Sequence, residues 1–210
     1  MEAILPAPVE KYIYGILPKR DTVLNEMERL AAREHIPIIG PAVARLLFFT
    51  AQVSGARRIF EMGSAIGYST IWLARAAGPG AEVFYTDGSA ANATRASRFL
   101  RRAGVARRVS ILTGDAIEML SKTSGGFDMI FIDVDKHQYP EALRCALPRL
   151  RRGGILATDN TLWSGKVANP AVTDRDTEGV RKFNRAVYSS KLLFPVLVPL
   201  RDGITICRKS

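Results

Sequence analysis

The chain has 210 residues, a length that suits one domain with a full hydrophobic core. It carries 30 Lys and Arg against 20 Asp and Glu, for a net charge of +10, which raises nucleic acid as a partner. Its apolar runs are too short to span a bilayer, no charged-then-apolar leader opens it, and Cys145 and Cys207 are too far apart in sequence for a metal motif or a disulfide framework, so a soluble chain in a reducing cytoplasm is expected.

The first part reads as helical. Val23, Met27 and Leu30 fall on one helix face, and after a break at His35–Pro41 a further helix runs from Pro41 to Val53. Residues 1–53 are expected to form a helical substrate-side or dimer-side segment and residues 54–210 a cofactor-binding core, within one domain. From Arg58 onward the pattern alternates. Strands are predicted over Arg58–Met62, Val83–Thr86, Val109–Leu112, Met129–Ile132 and Ile155–Thr158. Helices are predicted over Ser69–Ala77, Ala91–Ala103, Ala116–Leu120, Pro140–Leu150 and Glu178–Tyr188. Such alternation implies parallel strands with right-handed crossovers, a Rossmann-like α/β fold. Leu192–Pro199 and Ile204–Arg208, joined at Arg201-Asp202-Gly203, read as an antiparallel hairpin that completes a mostly parallel seven-stranded sheet.

The loop after the first strand is the most informative stretch. Glu61-Met62-Gly63-Ser64-Ala65-Ile66-Gly67-Tyr68-Ser69 spaces its glycines as Gly63-x-x-x-Gly67, not as the dinucleotide fingerprint, and has no P-loop lysine. An acid at Glu61 would repel a pyrophosphate and suits a cation-bearing ligand such as S-adenosylmethionine, which has a sulfonium and no phosphate. The bland alternative is an ordinary strand-to-helix turn.

The other strand ends add candidates. Asp87, 24 residues past Gly63, can accept both ribose hydroxyls of an adenosine or serve the helix that follows, where Ser89 competes as the cap. Asp115-Ala116 closes the third strand, and Asp115 can accept the adenine amine or cap the next helix. Asp133 ends the fourth strand and Asp159-Asn160 the fifth; these two carboxylates and an amide oxygen suit Mg²⁺ or Ca²⁺. Asp133 touching only the cofactor, with Asp159-Asn160 as a turn, remains open. Lys136 sits in the same loop as a general base or a solvated lysine. The arginines at Arg57-Arg58, Arg107-Arg108, Arg149 and Arg151-Arg152 precede strands, so much of the charge surplus is placed on the sheet edge behind the chemistry.

Taken together these residues resemble the cation-dependent O-methyltransferases, the catechol and caffeoyl-CoA O-methyltransferase group, over about Ile38 to Lys209. The resemblance rests on Glu61-x-Gly63-x-x-x-Gly67-Tyr68-Ser69, Asp87, Asp133, Lys136, Asp159-Asn160-Thr161-Leu162-Trp163 and Asp202-Gly203. It implies methyl transfer from S-adenosylmethionine to a hydroxyl of a small aromatic acceptor. A divalent cation, Mg²⁺ first and Ca²⁺ or Mn²⁺ otherwise, would sit on Asp133, Asp159 and Asn160, with Lys136 as base. Glu61 and Asp87 would hold the ribose side, Asp115 the adenine, and Tyr68 and Ser69 the methionine portion. A homodimer is likewise expected from the family. The chain departs from the family pattern at Ala65, Ser89 and Ser164-Gly165, and Ile36–Pro41 with Gly165–Asp176 are expected to border the acceptor. The rival reading kept open by the charge is a tRNA methyltransferase acting on a hydroxylated base.

Overall fold

Among the described residues seven strands form one sheet in the order β3-β2-β1-β4-β5-β7-β6. They are β1 (Arg58–Met62), β2 (Glu82–Asp87), β3 (Val109–Thr113), β4 (Phe127–Ile132), β5 (Leu150–Thr158), β6 (Leu193–Val198) and β7 (Ile204–Lys209). The first five run parallel, and β7 pairs antiparallel with both β5 and β6. The computed structural model describes residues 4–210; the first three residues of the expected helical segment lie outside the described residues.

The helices are α1 (Ala7–Ile16), α2 (Thr22–Glu34), α3 (Gly40–Val53), α4 (Tyr68–Ala77), α5 (Ala90–Arg102), α6 (Ala116–Lys122), α7 (Tyr139–Arg149) and α8 (Arg175–Ser189). Helix α1 is an element the sequence reading did not delimit. Among the described residues no helix is long and apolar enough to cross a membrane.

The sheet is buried on both faces because its central strands are apolar throughout. Period-two alternation divides them between two cores. Ile59, Val83, Tyr85, Met129, Phe131 and Ala157 face α3, α4 and α5. Phe60, Met62, Phe84, Ile130, Ile132 and Leu156 face the side that holds α6, α7 and α8. Helix starts are fixed by side-chain caps: Asp21, Ser89, Asp115 and Asp174 each accept a backbone N–H from the first turn of the helix that follows.

The strand order reverses between β1 and β4, which are in register at Glu61 opposite Phe131 and Met62 opposite Ile132. A crevice opens at the carboxyl ends of strands at such a switch point.

The opposite sheet edge gives contacts to four of the arginines. Arg57 donates to Ala77 O at 2.8 Å and to Pro79 O, at the carboxyl end of α4. Arg149 donates to Leu120 O at 2.7 Å, to Gly125 O at 2.6 Å and to Thr123 O, closing the end of α6. Arg108 reaches Ala74 O at 3.1 Å. The Arg58 guanidinium lies over the rings of Phe84 and Phe127 at 5.0 and 4.7 Å. Arg57, Arg108 and Arg149 satisfy carbonyls that a helix leaves orphaned at its end. Arg151 and Arg152 lie inside β5, which begins earlier than the sequence pattern suggested.

Candidate active site

A cavity of about 630 Å³ occupies the switch point. Its floor is the loop after β1. Gly63 has φ 87°, and a Cβ there would stand 2.3 Å from the Asp133 carbonyl oxygen, so only glycine lets this loop cross the end of β4. Ser64 N–H donates to Thr86 O at 2.9 Å, and Gly67 N–H to Ser64 O at 2.8 Å. Ala65 takes φ 44°, a left-handed conformation that suits glycine better. Its N–H donates to Asp87 Oδ2 at 3.0 Å, and its carbonyl accepts from Tyr85 OH at 2.6 Å.

Of the candidate residues, Gly63, Tyr68, Ser69, Asp87, Asp115, Ala116, Asp133, Lys136, Asp159 and Asn160 all line this cavity. Glu61 and Gly67 do not. Glu61 is fully buried beneath the loop, where one oxygen accepts from Thr70 Oγ1 and the other has no partner. Burial pushes its pKa up to about 7, against the nearby hydroxyls of Ser69, Thr70 and Ser64, which favour the charged form. Gly67 serves as the left-handed N-cap of α4.

Asp87 accepts from Ser89 N–H at 2.8 Å and from Asn92 Nδ2 at 3.1 Å, so its carboxylate is held in place at the mouth of β2. Ser89 is the cap of α5, which leaves Asp87 free of that duty. Asp115 does cap α6, accepting from Glu118 N–H at 2.9 Å, while still facing the cavity. Tyr68 donates to Glu28 at 2.6 Å, and Glu28 is gripped by Arg20 at 2.9 and 2.6 Å, which ties α2 to the start of α4. Burial and the Glu28 carboxylate raise the Tyr68 pKa.

The other end of the cavity gathers Asp133, Lys136, Asp159 and Asn160. Lys136 Nζ donates to Asp133 Oδ1 at 2.8 Å and to Val134 O at 3.2 Å, and stands 5.7 Å from the Trp163 ring centroid. Asp159 is buried, its backbone carbonyl held by Tyr139 OH at 2.9 Å. Neither of its carboxylate oxygens accepts a side-chain hydrogen bond. Burial and the nearby Asp133 charge push the Asp159 pKa up to about 7, with Arg201 opposing. Burial raises the Asp133 pKa as well, with Lys136 opposing.

Two buried carboxylate oxygens without a hydrogen-bond donor are costly unless something cationic meets them, and the Arg201 guanidinium comes no nearer than 3.6 Å. With Asp133 and the Asn160 amide beside them they make a hard oxygen set of the kind that divalent cations take. Among the described residues no group of three or more His, Cys, Asp or Glu side chains is arranged to hold a metal ion, so the set depends on the amide. The cofactor end is equally suited to its ligand: a backbone loop with no side chain at Gly63, flanked by Asp87 and Asp115, favours a cationic adenosine compound over a pyrophosphate.

Several lining residues were not singled out in the sequence as site residues: Asn92, Gln138, Asp176 and Arg201. Arg201 was legible only as part of a turn. Pro37, Ile38 and Ile39 line the cavity within the segment expected to border the acceptor; from the Gly165–Asp176 loop only Asp176 does.

A protein-family profile described as O-methyltransferase matches residues 17–210. The catechol O-methyltransferase of Niastella koreensis is 35% identical over 182 residues, covering 84% of this chain and 82% of that protein. Among solved structures, the O-methyltransferase from Bacillus cereus in complex with SAH superposes with a TM-score of 0.88 at 29% identity, covering 97% of each chain. The O-methyltransferase from Streptomyces achromogenes involved in tomaymycin synthesis, in complex with SAM, gives 0.88 at 29% identity over 97% of this chain and 96% of that one. The chain therefore belongs to the S-adenosylmethionine-dependent O-methyltransferase family.

Proposed function

We propose that the protein methylates one hydroxyl of a small vicinal diphenol, with a divalent cation, Mg²⁺ foremost, held by Asp133, Asp159 and Asn160. The observation that carries this reading is Asp159: a buried carboxylate that accepts no hydrogen bond among the described residues and meets only Arg201, at 3.6 Å, beside a second carboxylate and across the sheet from Asp87 and Asp115. When bound, S-adenosylmethionine supplies the electrophilic methyl group and the cation lowers the pKa of the hydroxyl it contacts.

The chain's own residues then have distinct tasks. Asp87 and Asp115 face the adenosine portion, and Gly63, Tyr68 and Ser69 the methionine portion. Glu61 supports the loop from beneath. Lys136, acting as the neutral amine, takes the hydroxyl proton on Nζ and becomes the ammonium, whose hydrogen bond to Asp133 holds that nitrogen at the rim of the cation set. Trp163, with Pro37, Ile38 and Ile39, walls the acceptor end and excludes water, which favours an aligned approach in a reaction that neutralises charge. The tRNA reading is not favoured: part of the basic surplus lies at the sheet edge opposite the cavity, where Arg57 and Arg149 bond helix-end carbonyls and Arg58 lies over an aromatic ring.

The direct test is transfer of labelled methyl from S-adenosylmethionine to vicinal diphenols, hydroxycinnamoyl-CoA thioesters and bulk tRNA, each with Mg²⁺ and with EDTA. Label in the diphenols that EDTA abolishes is the expected result. Label in tRNA alone would refute the proposal.

A further inference from the structure

Arg201 occupies the turn between β6 and β7, closed by Gly203 N–H donating to Leu200 O at 3.0 Å. Its φ is 54°, a region that long side chains rarely enter. Strain of this kind persists where the surroundings impose it, and it collects at functional positions. Here the surroundings are the segment after Asp159. Thr161 N–H donates to Gly203 O at 2.9 Å and Leu162 N–H to Asp202 O at 3.0 Å, and a Cβ on Gly203 would meet Leu162 at 2.5 Å. The turn is thus fastened to the candidate cation segment, with Arg201 on the cavity wall.

The guanidinium has little to hold it there. Its one ion pair among the described residues is a long one, 3.6 Å from Nη1 to Asp159 Oδ2, and its side chain is 35% exposed. The adjacent carboxylate, Asp202, has both oxygens engaged, one by Asn160 Nδ2 and the other by Ser164 N–H. The other basic side chain of the cavity, Lys136, is already bonded to Asp133 and Val134 O. A cation on Asp133, Asp159 and Asn160 would claim the Asp159 charge and leave the Arg201 fork facing the acceptor without an anion. A planar guanidinium in that position matches a carboxylate, which it can hold through two parallel hydrogen bonds.

We infer that Arg201 is a specificity-determining residue that binds a carboxylate on the acceptor, so that the substrates are vicinal diphenols with an anionic substituent. This rests on the diphenol reading above and goes beyond it by naming the charge of the acceptor.

The test compares kcat/KM for 3,4-dihydroxybenzoate and for 4-methylcatechol, which share the diol and differ in the charged group. The wild-type protein should favour the acid by about tenfold or more, the worth of one charge-assisted hydrogen bond. Arg201→Gln should collapse that ratio, and Arg201→Lys should restore part of it. A change in cation affinity alone would move both acceptors together and leave the ratio as it was. A ratio unaltered in Arg201→Gln, with both diphenols still methylated, overturns this inference alone. If wild type methylates neither compound, the diphenol reading falls with it. A second measurement needs no variant: 4-hydroxybenzoate should inhibit the wild-type enzyme about tenfold more strongly than 4-cresol, and equal inhibition would also overturn the assignment.

Discussion

Asn160 Nδ2 donates to Asp202 Oδ2 at 3.2 Å, so the β6–β7 turn decides which way the Asn160 amide faces. The other Asp202 oxygen accepts from Ser164 N–H. With its nitrogen committed to Asp202, the planar amide presents its oxygen in the other direction. Asn160 itself sits at φ 53°, a conformation asparagine tolerates better than most residues. Groups behind a ligand commonly set its orientation. Asp202→Ala should therefore weaken Mg²⁺ binding by about 10- to 100-fold while S-adenosylhomocysteine binding is retained. Calorimetric titration of each ligand separates the two effects, and an unaltered Mg²⁺ affinity would remove Asp202 from this role.

Asp159→Ala should abolish the Mg²⁺-stimulated part of turnover and leave cofactor affinity within about twofold, because Asp159 stands at the opposite end of the cavity from Asp87. Parallel loss of cofactor binding would mean that Asp159 supports the fold of the loops and does not serve a cation.

Lys136→Met keeps an apolar stem but removes the amine nitrogen, which stands 5.2 and 5.7 Å from the Tyr139 and Trp163 ring centroids. As a general base, Lys136 should be worth about 10²- to 10⁴-fold in kcat, with KM and cofactor affinity little altered. The check is single-turnover methyl transfer across a range of pH. If the variant keeps the wild-type rate at neutral pH, the proton goes elsewhere.

Much of this architecture was legible in the chain because its signals are local. The run Arg58–Met62 is an apolar strand that ends in an acid and a glycine loop, and the structure places β1 over those same residues. Strand ends, once assigned, necessarily share an edge, and that is why Asp87, Asp115, Asp133 and Asp159 could be grouped without coordinates. The less legible features depend on contacts between distant segments. Glu61 reads as a cavity acid, yet Thr70 and the loop above cover it. Arg201 reads as a turn residue, and only the bonds from Thr161 and Leu162 to that turn put it beside Asp159. Helix α1 carries Val9, Ile13 and Ile16 at helical spacing but leaves Val9 and Ile16 exposed, so its stripe does not mark a buried face.

Gly63→Ala tests the close approach of the loop to β4. The new Cβ would collide with a backbone oxygen, Asp133 O, and would have to adopt φ 87°. Neither the strand end nor the loop can yield cheaply, so the combined cost is about 2–4 kcal/mol. The melting temperature should fall by about 5 °C or more, and S-adenosylhomocysteine binding should weaken in whatever folded protein remains. Thermal melts with and without that ligand give both numbers. A variant with wild-type stability and affinity would show that the loop has room to move away from β4.

Glu61 gives a pH dependence with a definite sign. Its pKa rises from 4.5 unfolded to about 7 folded, chiefly because burial disfavours the charge. Between those values the folded state holds a proton that the unfolded chain has released, so stability falls as pH rises. The contribution is intact below about pH 4.5, declines through the interval and is fully lost above about pH 7, a swing on the order of 3 kcal/mol. Glu61→Gln has no such proton to lose, and its amide oxygen can still accept from Thr70 Oγ1. Denaturant unfolding of the cofactor-free protein at pH 5 and pH 8 should therefore show the variant gaining on wild type by an amount of that order at the higher pH. Because Glu61 does not line the cavity, the variant should also bind S-adenosylhomocysteine within about threefold of wild type, well under one hydrogen bond to a charged group. Parallel pH profiles would mean that the buried carboxylate is already neutralised by a partner, and a large loss of ligand affinity would return Glu61 to the binding surface.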